Sequence, residues 1–558
     1  MEKVAPTDGL SHVIGNSKIP LRNITIPAFF DEIVGKFGDE EAAVFSQFNI
    51  RWTYAELIDK CEEFAAGLLA LGLYKGDRVG IWSPNRAEWI IAQIATARLG
   101  LILVNINPAY KQSELEYCIN KVDLKCLIFA TQYKKSSYAE MIKALSPELS
   151  TQRAGSLKLK KLPSLRILVQ ISSEPMAGAY AFQEVAVRGT AGYRERLNAI
   201  SSGLNPDEPI NIQFTSGTTG SPKGATLTHK NIINNAIFCA KTMKLNRADR
   251  LCIPVPLYHC FGMVMGTLAC SSVGATMVFP SEGFDAETTL AVLRAENCTA
   301  VHGVPTMFSA MLESPEFKGQ KIKSLRTGIM AGSQCPEPLM RRVLMDFACP
   351  QITIAYGMTE TSPVSFQSDV DDPINIRVST VGRIQPHCEV KIIGKDGQIL
   401  PVGETGELWV KGYLVMKGYW EDDDAKTETI KNGWMTSGDL ATIDSQGFCK
   451  IVGRKKDMVI RGGENIYPAE LEGFLTGKTG ILEAHVFGIP DPKFGEKLVA
   501  WVIPEKGSTI TTDEIQEICR NELAYYKVPS EVLLVDEVPL TVTGKPQKFL
   551  MREMMLKN

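Results

Sequence analysis

"TSGTTGSPKG", residues 215–224, follows the alternating apolar run 210–214 and gathers hydroxyl side chains, three glycines and a single lysine. Backbone N–H groups in a glycine-rich turn can converge on phosphate oxygens, hydroxyls add donors, and Lys223 supplies a point charge against the β and γ phosphates. The stretch reads as a polyphosphate cradle, against the plainer reading of a Gly/Ser/Thr surface loop. A Walker A loop requires GxxxxGK[ST], whereas Pro222 precedes Lys223 here and Gly224 follows it. A GxSxG nucleophile elbow fails as well, because Phe214 stands where its first glycine belongs.

Outward from this loop, residues 52–304 alternate amphipathic helical patterns with short apolar runs: "YAELIDKCEEFAAGLLALG" then "RVGIWS", "AEWIIAQIATARLG" then "ILVNIN", "ETTLAVLRAENC" then "TAVHGVP". Helices between short strands predict mainly parallel α/β sheets, with ligands gathering at the strands' carboxyl ends. Residues 381–452 change texture to short strands closed by the turn signals "KDGQ", "VGETGE" and "DSQG", which predict a small β-barrel or sandwich. After "GRKKD" at 453–457, about 100 residues mix strands such as "AHVFGIP" with the helix "DEIQEICRNELAYY", an α+β unit of domain size. The expected division is 1–455 and 456–558.

The 558 residues carry a net charge of −3, which gives no electrostatic footprint for nucleic acid; the cations Lys158, Lys160 and Lys161 read as a solvated loop. Thirteen cysteines without a CxxC pair and six histidines never at i, i+4 indicate neither a disulfide framework nor a zinc site, and point to a reducing compartment. The N-terminal twenty residues show neither a secretory core nor an arginine-rich transit pattern. Residues 261–280 are uncharged, but Gly262, Gly266 and Gly274 with Ser271 and Ser272 divide them into a short buried helix, a turn and the strand "ATMVF". No membrane span is expected.

The cradle has company. "TSGTTGSPKG", "YGMTE" at 356–360, "SGD" at 437–439, "GRKKDMVIRGGENIYPAELE" at 453–472 and "TGKPQK" at 543–548 resemble, in order, the motifs of the adenylate-forming superfamily. The run is most similar to the acyl-CoA synthetase branch and its medium-chain fatty acyl-CoA ligases. The resemblance implies a large N-terminal AMP-binding domain of two α/β subdomains plus the small β unit, and a mobile C-terminal domain carrying a catalytic lysine. It implies ATP, Mg²⁺ and coenzyme A as cofactor and co-substrates, and a small carboxylic acid as substrate. By resemblance alone, mitochondria are favoured over the cytoplasm.

The resemblance also implies residue roles. The cradle, Thr215, Ser216, Gly217, Thr218, Thr219, Gly220, Ser221, Pro222, Lys223 and Gly224, takes the nucleotide phosphates, and Gly332, Ser333 and Gly357 belong to the cofactor-binding set. Tyr356 has a ring suited to stacking on adenine, and Thr359 and Glu360 offer oxygen ligands, with Thr218 and Glu360 holding Mg²⁺. Asp439 accepts the ribose hydroxyls and Arg454 reaches the same sugar from the interdomain turn. Lys545, on an expected exposed loop, bridges the substrate carboxylate and the α-phosphate. The C-terminal domain then swings about Lys456, exchanging Lys545 for a face carrying Arg461, Gly462 and Gly463, where coenzyme A attacks.

Residues 254–280 contain no Asp, Glu, Lys or Arg, which disfavours an α-amino acid substrate because its ammonium would be buried unpaired. With "HGVPTMF" at 302–308 they offer an apolar lining suited to an alkyl tail. His259 reads equally as a gate on the carboxylate path and as a hydrogen-bonded core histidine. Two positions depart from the family pattern. Ser437 replaces the commoner threonine, and Pro546 removes an N–H donor beside Lys545. Alternatives on the same scaffold are an aryl or hydroxycinnamate CoA ligase, a luciferase-like oxygenase and a catalytically silent nucleotide-binding protein.

Overall fold

The computed structural model describes residues 4–215, 222–333, 335–461, 464–541 and 545–557. Two large sheets dominate. One has eight strands: Ala179–Ala181, Ile167–Ile171, Cys126–Ala130, Arg78–Trp82, Ile102–Asn105 and Pro209–Thr215 are parallel neighbours, and Lys223–Thr228 and Gly418–Tyr419 close it antiparallel. The other has nine strands, with a parallel centre running Gln351–Gly357, Thr327–Ala331, Ala300–Gly303, Arg250–Cys252, Thr276–Phe279 and Glu41–Phe45.

The helices start where capping chemistry dictates. Thr53 and Glu56 form a reciprocal capping box that opens Tyr54–Ala70, and Thr228 with Asn231 does the same for His229–Thr242. The helix Ala87–Arg98 differs from the amphipathic expectation, since every residue except Glu88 is buried. One core unites side chains of both sheets with these helices, so this helix has no solvent face to make polar. Its buried Arg98 is compensated by Asp31 at 2.5 Å and Glu62 at 3.1 Å.

The hairpin-rich segment forms a six-stranded antiparallel sheet from Cys388–Ile393, Gly406–Gly412, Ile430–Lys431, Trp434–Ile443 and Cys449–Arg454, joined by His12–Ile14 from the N-terminal end. Arg383–Ile384, inside the expected span of this unit, belongs instead to the nine-stranded sheet. The terminal unit packs the long hairpin Ile481–Asp491 and Gly495–Pro504 against Pro468–Thr476 and Thr512–Glu522, with its own apolar core. The uncharged stretch resolves into a π-helix, Phe261–Leu268, a turn and the strand Thr276–Phe279. Among the described residues no helix is long and apolar enough to cross a membrane.

Candidate active site

The cradle's stem is defined on both sides. Thr215 ends one strand, Lys223 begins the next, and the two are directly opposite in an antiparallel pair, so the loop joins two strands rather than a strand to a helix. Ser216, Gly217, Thr218, Thr219, Gly220 and Ser221 lie outside the described residues. Pro222 is held by its carbonyl, which accepts from the Tyr117 hydroxyl at 3.1 Å. A Cβ on Gly224 would sit 3.0 Å from Ile212. The Lys223 ammonium lies 5.3 Å from the centre of the Tyr419 ring, and the Tyr419 hydroxyl donates to Glu360 Oε1 at 2.9 Å. The cradle lysine and the candidate metal carboxylate are thus joined through one aromatic side chain.

Glu360 and Thr359 occupy the tight turn Thr359–Thr361, just after the carboxyl end of Gln351–Gly357. Thr359 is buried, and the Glu360 carbonyl accepts from Met416 N at 3.0 Å. Gly357 cannot carry a side chain, because a Cβ would fall 1.8 Å from the Pro363 carbonyl oxygen. No group of three or more His, Cys, Asp or Glu that could hold a metal occurs among the described residues. One carboxylate completed by phosphate oxygens is the donor set Mg²⁺ uses, and Glu360 fits it.

On the antiparallel unit, Asp439 and Arg454 face each other across the pair Trp434–Ile443 and Cys449–Arg454. Arg454 therefore ends a strand rather than lying in a free turn; its Nε sits 3.3 Å from Asp439 Oδ1. The Tyr356 hydroxyl donates to Asp439 Oδ2 at 2.5 Å. Burial raises the pKa of both Tyr356 and Asp439, and for the carboxylate Arg454 opposes that rise. A carboxylate offers about four lone-pair sites, so Asp439 keeps capacity beyond these two partners.

Lys545 reaches this site from the far end of the chain. A Cβ built on Gly332, whose φ of +98° suits glycine, would lie 3.9 Å from Lys545 Cε. Ser333, next to Gly332, is exposed. Lys545 is half-buried, not on an exposed loop as its sequence suggested. Burial lowers its pKa, Arg454 lowers it further, and Asp439 and Glu360 pull the other way, which places the ammonium within electrostatic range of both ends of the site. His259 shares this surrounding: burial, then the neighbouring Lys545, push its pKa down to about 3, so its imidazole is neutral at working pH. The loop bearing Lys545 is closed by Lys545 N donating to Thr541 Oγ1 at 3.0 Å and Thr541 N donating to the Lys545 carbonyl at 2.8 Å.

Pro546 is explained by register. It pairs with Leu540, while the backbone bonds Thr541 N to Lys545 O and Gln547 N to Pro539 O flank that pair on either side. Residue 546 is therefore at a non-hydrogen-bonded position of the small ladder, where an N–H would point away and its loss is harmless.

Arg461, from the other proposed face, is engaged within the terminal domain. It donates to the carbonyls of Tyr526 at 3.0 Å and Val528 at 2.9 Å and lies over the Phe494 ring, none of them candidate site residues. Gly462 and Gly463 lie outside the described residues. Tyr419 escaped sequence reasoning altogether: "GYW" after a turn reads as an ordinary edge strand, and only the pairing of Tyr419 with Ala225 carries it to the cradle.

Two mainly parallel sheets, an antiparallel unit and a small terminal domain define the class of two-domain adenylate-forming enzymes. The chain belongs to the AMP-binding enzyme family: residues 30–420 match that family, and residues 470–545 match the AMP-binding enzyme C-terminal domain. It is 43% identical to the mitochondrial medium-chain acyl-CoA ligase ACSF2 of Danio rerio, over 98% of this chain and 91% of that one. It is 44% identical to the putative acyl-CoA synthetase YngI of Bacillus subtilis, over 95% and 96%. Among solved structures, ATP-bound MatB from Rhodopseudomonas palustris superposes with a TM-score of 0.79 at 27% identity, covering 95% of this chain and 99% of that one. A fatty acyl CoA synthetase of Mycobacterium tuberculosis does so with 0.70 at 26%, covering 95% and 98%.

Proposed function

We propose that this enzyme joins a medium-chain fatty acid to coenzyme A in two half-reactions at one centre. In the first, the acid's carboxylate oxygen attacks the α-phosphorus of ATP, a P–O bond forms, and pyrophosphate leaves. In the second, the thiol of coenzyme A attacks the acyl carbonyl, AMP departs, and the thiol proton passes to solvent. The observation that carries this reading is the position of Lys545, brought by the terminal domain against Gly332 and within range of Glu360 and Asp439. There its charge offsets the negative charge that accumulates as carboxylate and α-phosphate meet.

The remaining side chains take roles consistent with their geometry. Asp439, oriented by Tyr356 and Arg454, accepts the ribose hydroxyls, and Tyr356 offers its ring to the base. Lys223, Thr215 and the loop between take the β and γ phosphates. Glu360, with Thr218 as the second proposed ligand, would hold Mg²⁺ through hard oxygens, and the ion when bound neutralises phosphate charge. Neutral His259 beside Lys545 borders the carboxylate path without adding charge to it.

In this reading the Lys545 side of the terminal domain serves the first half-reaction. The second half-reaction then requires the unit 456–558 to turn about Lys456 on the body 1–455 and bring Arg461, Gly462 and Gly463 to the thiol. The ACSF2 relative of Danio rerio is a mitochondrial enzyme, and mitochondria are the location this reading favours, which fractionation of cells expressing the tagged chain would check.

Incubation with ATP, Mg²⁺, coenzyme A and aliphatic acids of graded length, with coumarate for comparison, should release AMP and pyrophosphate and form acyl-CoA best with acids near octanoate. Failure across all aliphatic acids removes the reading. Lys545→Ala should slow adenylate formation by about 10²–10³-fold and largely spare thioester formation from supplied acyl-adenylate; equal loss of both steps would exclude the two-face mechanism.

A further inference from the structure

The helix Lys548–Lys557 begins three residues after Lys545, and its body is fastened to the terminal domain independently of its start. Met551 is buried among Phe487, Ile489, Val499 and Trp501, and Arg552 Nε donates to the Gly488 carbonyl at 2.7 Å. The end nearest Lys545 has a different anchor. Lys548 Nζ lies 2.5 Å from Glu472 Oε1, on the helix Pro468–Thr476, and the same oxygen accepts from Val486 N at 2.7 Å, on the strand Ile481–Asp491. One carboxylate therefore ties the segment of Lys545 to two further elements of the domain. With 22% and 15% of the two side chains exposed, the pair escapes most of the solvent screening that makes surface pairs worth little. The lysine does not serve its own helix, because a cation in the first turn opposes the helix dipole and no Asp or Glu in that turn balances it. What it gains at this position is Glu472.

Backbone bonds carry the constraint on from Lys548 to Lys545. The Gln547 carbonyl accepts from Leu550 N at 3.0 Å, which starts the helix, while Gln547 N donates to the Pro539 carbonyl at 2.8 Å, which closes the short ladder bearing Lys545. Pro546 between them has a fixed φ, so few rotations separate the two lysines. We propose that Lys548, through its ion pair with Glu472, is a positioning residue for Lys545. It fixes the start of the last helix, and with it the ladder that presents the catalytic ammonium. The proposal rests on the two-step reading above, in which Lys545 serves adenylate formation alone. Without the pair, the ladder keeps its bonds to Thr541 and Pro539 but loses its anchor on the helix side, and the ammonium samples a wider range of positions. A displacement of about 1 Å at a reacting centre can cost on the order of 10²-fold in rate.

The test measures adenylate formation from octanoate by pyrophosphate exchange, and thioester formation from supplied acyl-adenylate, as separate steps in the full-length enzyme. Lys548→Met keeps the side-chain length and removes the charge, Lys548→Arg keeps the charge, and Glu472→Gln keeps an acceptor for Val486 N. Lys548→Met and Glu472→Gln should each lower kcat for adenylate formation about 10-fold, with KM for ATP and the thioester step held within about twofold. Lys548→Arg should restore most of the loss. In the Lys545→Ala background Lys548→Met should cost nothing more, since a residue that acts through another has no effect once that one is gone. If Lys548→Met fails to fold by its melting temperature, Glu472→Gln carries the decision. Equal loss in both half-reactions, or an undiminished loss in the Lys545→Ala background, overturns the inference: the pair is then a general brace of the domain. Adenylate formation unchanged in Lys548→Met, in an enzyme that Lys545→Ala does slow, overturns it as well. Wild-type enzyme that forms no adenylate with any aliphatic acid, or that Lys545→Ala does not slow, would instead remove the functional reading, and this inference with it.

Discussion

At the scale of single residues, the site works by sharing partners. Asp439 is oriented by a phenol and a guanidinium at once, and Glu360 is tied through Tyr419 to the ammonium of Lys223. The second link separates two contributions that one substitution can distinguish. Tyr419→Phe keeps the ring beneath Lys223 and removes the donor to Glu360. A hydrogen bond to a charged group contributes about 1.5–3 kcal/mol, so the Mg²⁺ concentration for half-maximal adenylate formation should rise roughly tenfold. Thioester formation from supplied acyl-adenylate should not change. An unaltered Mg²⁺ dependence in a metal titration of the variant would show that the phenol does not position Glu360. Lys223, Glu360 and Asp439 were legible as residue types within motifs; Tyr419 was not, because its importance depends on which strand it pairs with.

At the scale of elements, local chemistry and register decide what a position tolerates. The Thr53 and Thr228 capping boxes, the helical periods and the hairpin turns could be read directly, since each involves residues within a turn or two of one another. The burial of Ala87–Arg98 could not, because whether a helix has a solvent face depends on what covers it. Pro546 shows the same limit. In sequence it threatens the lysine next to it; in the ladder it sits at a position whose N–H would face outward. Pro546→Val should therefore change the rate of adenylate formation by less than about twofold when steady-state kinetics of the two proteins are compared. A large gain would mean that the ring, and not the register, controls Lys545.

At the scale of the whole molecule, burial of ionisable groups sets the response to acid. His229 and His302 are buried, and desolvation pushes both pKa values from 6.5 down to about 4. His229 keeps Nδ1 on the Ile26 N–H at 3.1 Å, and His302 has Nε2 at 3.0 Å from the Met265 carbonyl. The folded chain holds these rings neutral while the unfolded chain protonates them near 6.5, so their contribution is complete above that pH and is lost as pH falls toward 4. By pH 5 each should have cost on the order of 2 kcal/mol. Thermal melting between pH 7.5 and 4.5 should show the midpoint falling through this window, with a shallower fall in His229→Gln and His302→Gln. A flat profile down to pH 5 would show that both rings protonate in place.

The sequence by itself determined the family, the mainly parallel α/β texture, the hairpin-rich unit, the uncharged run 254–280 and the residue types within the motifs, because motifs, periods and turns are properties of neighbours along the chain. Only the tertiary structure decided that Arg454 stands across from Asp439 and that Tyr419 joins Lys223 to Glu360. It also decided that Lys545 meets Gly332, more than two hundred positions away in the chain. These contacts depend on strand register and on the docking of separate units, in which a displacement of one residue exchanges a buried face for an exposed one.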